Sequence, residues 1–319
     1  MKVLFVSSGN MSGGKPTNLV FAQGQSLINQ GIDLTFFTIL GKGPLGYLKN
    51  IKRLKTVLRA NKFDVIHAHY GFCGIVCFFA KKNEKVIISL MGSDLFGEIS
   101  KTFLSKLKTK VLIFVTQFLS RYMLDFTIVK SDKLGKKLWK NTAYKVIPNG
   151  VDFSVFFPIN KIKARKLLNI PAEKKIVLFP TDANRMEKNY SLAKKAVELL
   201  NDEAVELLQI HGVSQEQLNL FYNAADVMLM TSIYEGSPNV IKENLACNKV
   251  IVSTDVGDVK KNFETINGCF ITSHDAVDVA QKIKSALLIS ESNGREKIKW
   301  LDSKVIAEQI IGCYKDLKK

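Results

Sequence analysis

The sequence predicts an α/β protein made of two Rossmann-like domains, each a doubly wound parallel sheet. Three observations carry this expectation. A chain of 319 residues is about twice the size of one ordinary domain of this class. Short β-branched, apolar runs alternate with helical patterns in both halves, the mark of βαβ units. Between the halves, Ile147-Pro-Asn-Gly-Val-Asp-Phe-Ser-Val-Phe-Phe-Pro158 interrupts that alternation with two prolines and a turn-forming Asn-Gly.

In the first half, strands are expected at residues 3–7, 33–39, 64–69, 85–90, 126–129 and 145–147, with helices between them, the first over 18–30. In the second half they are expected at 176–179, 205–210, 227–230, 250–253 and 269–271. After Asp275 the chain reads as helical almost to its end, including 279–289 and 305–317. The domains are therefore set at 1–150 and 151–300, with 301–319 a helix that returns to brace the first. Two open sheets joined in this way are expected to turn the carboxyl ends of their strands toward a shared cleft, where ligands of such folds bind.

Composition narrows the class. Hydrophobic residues at 46%, charged residues at 24% and only seven prolines describe a folded globular chain. The first apolar run, Met-Lys-Val-Leu-Phe-Val, gives way to Ser7-Ser-Gly too soon for a signal-peptide core and reads as a first strand. The longest apolar stretch, residues 111–119, is too short to span a bilayer, so a cytoplasmic protein is expected, soluble or at the inner face of the membrane. Cys73, Cys77, Cys247, Cys269 and Cys313 form an odd, scattered set and read as thiols in a reducing compartment. The formal net charge of +17 points to nucleic acid, an anionic membrane surface or a negatively charged substrate. Residues 101–145 interleave lysines with Phe103, Leu104, Leu107, Leu112, Phe114, Phe118 and Leu119. That pattern reads either as a membrane-facing amphipathic surface or as a core helix with a solvated lysine face.

The strongest chemical signal follows the strand at 227–230, where Glu235-Gly-Ser-Pro-Asn-Val-Ile-Lys-Glu243 leads into a helix. Ser237 is expected as its N-cap and Pro238 as its first residue. Gly236 and the amides of Ser237, Asn239 and Val240 would face a ligand at the positive helix end, a seat for a diphosphate. Glu235 and Glu243 flank that seat, and carboxylates suit diols because they accept without donating. The bland alternative pairs Glu243 with a lysine on a solvated face.

These residues, with Asp64-Val-Ile-His-Ala-His69, Ile147-Pro-Asn-Gly-Val-Asp152, Asn223-Ala-Ala-Asp226 and Ser253-Thr-Asp-Val-Gly-Asp258, resemble the retaining glycosyltransferases of family four, which have the GT-B fold. The resemblance spans nearly the whole chain and rests on the combination of motifs. It implies Glu235 on the transferred sugar, Glu243 on the ribose, and the Gly236–Val240 amides on sugar and phosphate. It also implies a basic pair on the diphosphate, assigned here to Lys188 and Arg185, although the spacing departs from the commoner pattern, whose arginine places hold Asp182 and Ala183. His211 and Val213 fall where the family seats the nucleobase, and Gly13 and Gly14 where it contacts the donor diphosphate. His69 and Asp94 are expected near the acceptor, Asp94 alternatively as a helix cap. Met91 stands where many relatives carry a histidine near the reacting sugar.

The implied reaction is metal-independent transfer with retention from a nucleoside-diphosphate sugar, expected to be a UDP- or GDP-sugar, to a glycan or lipid-linked acceptor in polysaccharide biosynthesis. No cofactor and no metal are expected, since the two histidines at 67 and 69 lack a third ligand. A nucleotide-sugar epimerase or a phosphorylase on the same fold would lack the acceptor or carry a pyridoxal group. A basic nucleic-acid-binding protein would show a recognised module, and none is found.

Overall fold

A computed structural model describes residues 1–10, 12–97 and 102–318. The chain divides into two compact units: Met1–Asn149 with Ser303–Lys319, and Gly150–Asp302. The first break falls inside the Pro148-Asn-Gly segment, just after the last strand of the first sheet.

The first unit holds strands β1 (Lys2–Ser8), β2 (Asp33–Ile39), β3 (Val65–His69), β4 (Lys85–Leu90), β5 (Phe126–Val129) and β6 (Tyr144–Val146). Their order is β2-β1-β3-β4-β5-β6, and every pairing is parallel. Its helices are α1 (Asn18–Ile28), α2 (Gly43–Ala60), α3 (Gly71–Ala80), α4 (Ser93–Phe96), α5 (Phe103–Phe118), α6 (Asp132–Gly135) and, from the end of the chain, the helix Ser303–Asp316. Leu4, Val6, Ile66, Ala68, Val86 and Ile88 face Tyr47, Leu54 and Leu58 of α2 and Cys73, Val76 and Cys77 of α3 in one core. The alternate residues line the opposite face. There the helix Ser303–Asp316 lies beside α1, and its Tyr314 hydroxyl stands 2.6 Å from Nδ1 of His67. Residues on both faces are buried, which is why these strands read as continuous apolar runs.

The second unit holds β7 (Lys175–Phe179), β8 (Val205–Gln209), β9 (Val227–Met230), β10 (Val250–Thr254) and β11 (Cys269–Thr272), in the parallel order β11-β10-β9-β7-β8. Between and after them run α7 (Lys161–Leu168), α8 (Tyr190–Glu198), α9 (Gln215–Ala224), α10 (Asn239–Ala246), α11 (Val259–Phe263), α12 (Ala276–Ala286) and α13 (Gly294–Lys297); the helix Ser303–Asp316 of the first unit is α14. Arg165 of α7 is buried and donates to the carbonyls of Ala172, Lys174 and Ala224 and to Asp226, which also accepts the Ile176 amide. One guanidinium thus fixes the entry to β7 and β9. Arg295 does the same for the segment after the unit boundary, donating to the carbonyls of Phe153, Phe156 and Ala246.

The helical reading after Asp275 holds in α12 and α14, with ends displaced by a few residues from 279–289 and 305–317. The chain opens between α12 and α13, where the Ser292 amide donates to Asn248 and the Asn293 side chain accepts from the Asn267 amide. These distant partners hold the segment away from a helix, and locally the Ser292 hydroxyl accepts from the Gly294 amide at 3.2 Å, in competition with the helix ladder.

In both sheets the winding reverses beside the first strand: β1 lies between β2 and β3, and β7 between β8 and β9. Loops at the carboxyl ends of these strands diverge at such a reversal and leave a crevice, the usual place for a ligand. In the second unit they are the β7–α8 loop, with Arg185 and Lys188, and the β9–α10 loop, with Glu235 to Pro238.

Candidate functional site

Hydrogen bonds from three strand ends hold the β9–α10 loop. The Thr231 hydroxyl donates to the carbonyls of Lys188 (3.0 Å) and Asn189 (2.9 Å), and the Ile233 amide donates to Glu187 (2.8 Å). From β10, the Thr254 hydroxyl donates to the Ser232 carbonyl at 2.7 Å. These bonds bring the β7 and β9 loops together, so that the Lys188 ammonium donates directly to Oε1 of Glu235, which also accepts from the Ser232 hydroxyl at 2.9 Å. Lys188 sits on a single 3₁₀ turn, Met186–Lys188, with its side chain largely buried.

Gly236 follows, packed against Gly257. Gly257 has φ of +55°, and a Cβ there would lie 2.7 Å from the Gly236 carbonyl oxygen. Both the left-handed conformation and the close approach of two backbones require glycine at this position. Beneath this contact the Ser237 hydroxyl donates to Oδ2 of Asp258 at 2.7 Å. The fully buried Lys242 reaches the same two groups, bonding to the Ser237 hydroxyl and standing 3.3 Å from Asp258. Burial pulls the Lys242 pKa down, while the Asp258 carboxylate and then Glu243 oppose that pull.

Ser237 is therefore not the N-cap. Pro238 occupies that position, and α10 begins at Asn239. The Ser237 hydroxyl turns to the charged pair below because bonds to ionised partners outweigh a neutral capping bond. Proline offers no side-chain acceptor, so the first turn of α10 presents its backbone amides without a side-chain cap.

Glu243, five residues into α10, accepts a 2.6 Å hydrogen bond from the Tyr222 hydroxyl of α9. Burial pushes its carboxyl up to about 7, with the Tyr222 bond and then the Lys242 charge acting against the rise. It faces a buried phenol, not the lysine of a solvated surface. Such a carboxyl is poised to ionise when a ligand supplies further hydrogen-bond donors.

The remaining expected positions are less closely joined. Arg185 is exposed and pairs with Glu187, out of the Lys188–Glu235 contact. His211 is exposed beyond β8, with Nδ1 3.2 Å from the Gln209 amide nitrogen, and Val213 is half-buried next to it. In the first unit Gly13 and Gly14 both take positive φ. The Gly14 amide donates to Gly9, and its carbonyl accepts from the Thr38 hydroxyl at 2.7 Å, so the loop folds back onto the end of β1.

The acceptor assignments need correction. Asp94 is fully buried, and its two oxygens accept the Gly71 and Met91 amides at 2.6 and 2.7 Å. It acts as a clamp between the turns after β3 and β4, with burial raising its pKa to about 6 despite those amides. His69 is buried with its ring 4.4 Å from that of His67, and its nitrogens have no hydrogen-bond partner among the described residues. Burial holds it neutral, with a pKa near 3. Neither side chain offers exposed surface. Cys73 and Cys77 lie one turn apart in the core of α3 as free thiols, and burial raises both. Among the described residues no cluster of His, Cys, Asp or Glu could hold a metal ion.

Two family matches bear on this site. Residues 176–288 match the family described as "Glycosyl transferases group 1", and residues 19–133 match "Glycosyl transferase 4-like". Together they cover more than two thirds of the chain. The chain belongs to the group 1 glycosyltransferases. The first match contains Lys188, the whole Glu235–Glu243 segment and Asp258.

The chain has the GT-B fold, and its solved structural relatives share that fold at low sequence identity. Sucrose-phosphate synthase from Thermosynechococcus elongatus is 18% identical with a TM-score of 0.86, covering 99% of each chain. Anabaena HepE in complex with UDP and glucose is 17% identical with a TM-score of 0.74, covering 99% of this chain and all of the other. Among curated sequences, the D-inositol 3-phosphate glycosyltransferase of Streptosporangium roseum is 22% identical over 295 residues, 76% of this chain and 66% of that protein. TuaC of Bacillus subtilis, a candidate teichuronic acid biosynthesis glycosyltransferase, is 24% identical over 256 residues, 72% of this chain and 63% of that protein. The chain spans slightly less than two thirds of the length of these curated relatives.

Sequence reasoning assigned no role to Lys242, Gly257, Asp258 or Tyr222 in this group 1 glycosyltransferase. Lys242, Gly257 and Asp258 lay inside quoted motifs. The available signal was a lysine beside Ile241 on a short helix, which needs an acid if it is buried; nothing in the sequence paired it with Asp258, sixteen residues on.

Proposed function

We propose that this protein is a retaining, metal-independent glycosyltransferase that moves a sugar from a nucleoside-diphosphate sugar, a UDP- or GDP-sugar, to a hydroxyl of a glycan or lipid-linked glycan. The observation that carries the reading is the direct Lys188–Glu235 contact at the winding reversal of the second sheet, beside the uncapped first turn of α10, with Glu243 further along the same helix. A cation and free helix amides suit a departing diphosphate, which gains negative charge as the glycosidic bond breaks. Glu235 would accept from hydroxyls of the transferred sugar, and Glu243 from the ribose. Arg185, on the same loop as Lys188, would add a second cation, while His211 and Val213 would border the nucleobase. The leaving phosphate oxygen would take the proton of the incoming hydroxyl, so that no protein nucleophile is required.

The donor class is supported by HepE, whose structures hold UDP, UDP with glucose, and UDP-glucose. A role in cell-surface polysaccharide assembly, at the inner face of the membrane, is supported by the likeness to TuaC. Among the described residues no helix is long and apolar enough to cross a bilayer, so contact with lipid would be peripheral.

A thermal-shift panel of UDP-, GDP- and ADP-sugars tests the donor reading. One class should raise the melting temperature of the wild type, because a ligand at about a hundred times its Kd adds roughly 2.7 kcal/mol to the folded state. Glu243→Ala should remove most of that rise. A panel in which no nucleotide sugar stabilises the wild type defeats the proposal.

A further inference from the structure

Helix α5 presents an apolar stripe to solvent. Leu104, Leu107, Val111, Phe114, Phe118 and, one turn beyond the helix, Tyr122 recur at spacings of three and four, the repeat of a single helical face. Leu104 is 68% exposed, Phe114 59% and Tyr122 61%, and Phe103 at the start of the helix is 80% exposed. The opposite edge is ordinary core: Leu112 and Thr116 are buried where α5 packs on α3 and α4. The stripe is thus a second apolar face on a helix already packed by its first. It runs about 24 Å at 1.5 Å per residue.

Charge identifies the partner. At about 100° per residue, Lys106 and Lys110 flank the stripe on one side and Lys108 on the other, all three exposed. Their alkyl stems can lie along the apolar face while the ammonium groups reach outward. Toward the far end, Trp139 packs edge-on to Phe114 and contacts Tyr122, whose ring also carries the Arg121 guanidinium at 5.2 Å. Beyond them Lys133, Lys136, Lys137 and Lys140 are exposed. Across residues 102–145, nine lysines and arginines besides the buried Lys130 stand against Asp125 and Asp132 as the sole acids, and Asp125 is already paired with Lys81 and Lys85.

We infer that this face is a docking surface for an anionic lipid bilayer, with α5 lying in the plane of the interface. The apolar stripe enters the boundary between headgroups and acyl chains, Tyr122 and Trp139 sit at headgroup level, and the flanking lysines meet lipid phosphates. A second copy of the chain fits less well, since a two-fold pairing of the stripe would set its lysine flanks against each other. Nucleic acid would be met by the lysines and would leave the stripe unburied. The inference concerns the partner of the first unit and does not rest on the donor reading, because the measurement below needs no nucleotide sugar.

Co-sedimentation of the full chain with vesicles of phosphatidylcholine, with and without phosphatidylglycerol, tests it. The wild type should partition at least tenfold more strongly onto the phosphatidylglycerol vesicles, and added salt should weaken that partition. Leu107→Ser with Phe114→Ser should reduce partition at least tenfold, and so should replacement of Lys106, Lys108 and Lys110 by Gln. Circular dichroism should stay at wild-type values and the melting temperature close to them, since every replaced side chain is exposed and Phe114 gives up only its edge contact with Trp139. For the wild type alone, tryptophan emission should shift to the blue on binding as Trp139 enters the interface. Equal partition onto neutral and anionic vesicles overturns the proposal, as does binding that survives loss of the apolar pair. Light scattering that finds a wild-type dimer dissociated by the Leu107 and Phe114 changes also overturns it, assigning the face to a second copy.

Discussion

Glu243→Gln should abolish a pH dependence of stability that the wild type carries between about pH 4.5 and 7. In the unfolded chain this carboxyl ionises near 4.5, whereas in the folded protein burial raises it to about 7. Across that window the unfolded chain gives up a proton that the folded chain retains. Rising pH therefore favours unfolding, and the protection is gone above pH 7. The displacement of about 2.5 units, at 1.36 kcal/mol each, amounts to roughly 3 kcal/mol as an order of magnitude. Glutamine keeps an acceptor for the Tyr222 hydroxyl and cannot ionise. Urea unfolding of both proteins across this range would give the difference directly, and other titrating groups, Asp94 among them, cancel in the comparison. Under the proposed function donor binding supplies the converse: ribose hydroxyls would stabilise the carboxylate, so affinity in the wild type should rise with pH up to about 7 and stay flat in the variant. Parallel stability profiles for the two proteins would refute the placement of Glu243 in a desolvating site.

Two further outcomes follow from the same geometry. Lys188→Ala should lower kcat by about a hundredfold to a thousandfold in a transfer assay, because it leaves Glu235 without its partner and, under the proposed function, would remove the cation from the leaving diphosphate; Lys188→Arg should recover part of the rate. Gly257→Ala should destabilise the protein by about 1–3 kcal/mol in thermal or urea unfolding, and should also blunt the thermal shift with donor, since the new Cβ would press on Gly236 and displace the Glu235 loop.

Much of this protein was legible in its sequence, and the reason is periodicity. Strand and helix patterns depend on which side chains must leave water, so the fold class, the strand positions and the break near Pro148-Asn-Gly follow from residue order alone. The Glu235–Glu243 segment was visible for a similar reason: a short strand, then glycine and proline, then a helix is local chemistry. What failed was the capping of α10, where Ser237 had the right residue type and position and lost its hydroxyl to Lys242 and Asp258. Asp94 followed the same rule, its carboxylate drawn into the core by two amides that no local pattern reveals.

Sequence by itself thus determined the α/β class, the approximate division of the chain and the loop that carries the candidate chemistry, because each depends on contacts within one or two turns of the chain. Tertiary structure alone decided that Lys188 meets Glu235, that Gly257 supports Gly236, that Tyr222 meets Glu243, and that the far side of α5 is largely exposed among the described residues. These depend on which strands become neighbours when the sheet reverses its winding, and on the surface left over once the core is filled, which only three-dimensional packing fixes.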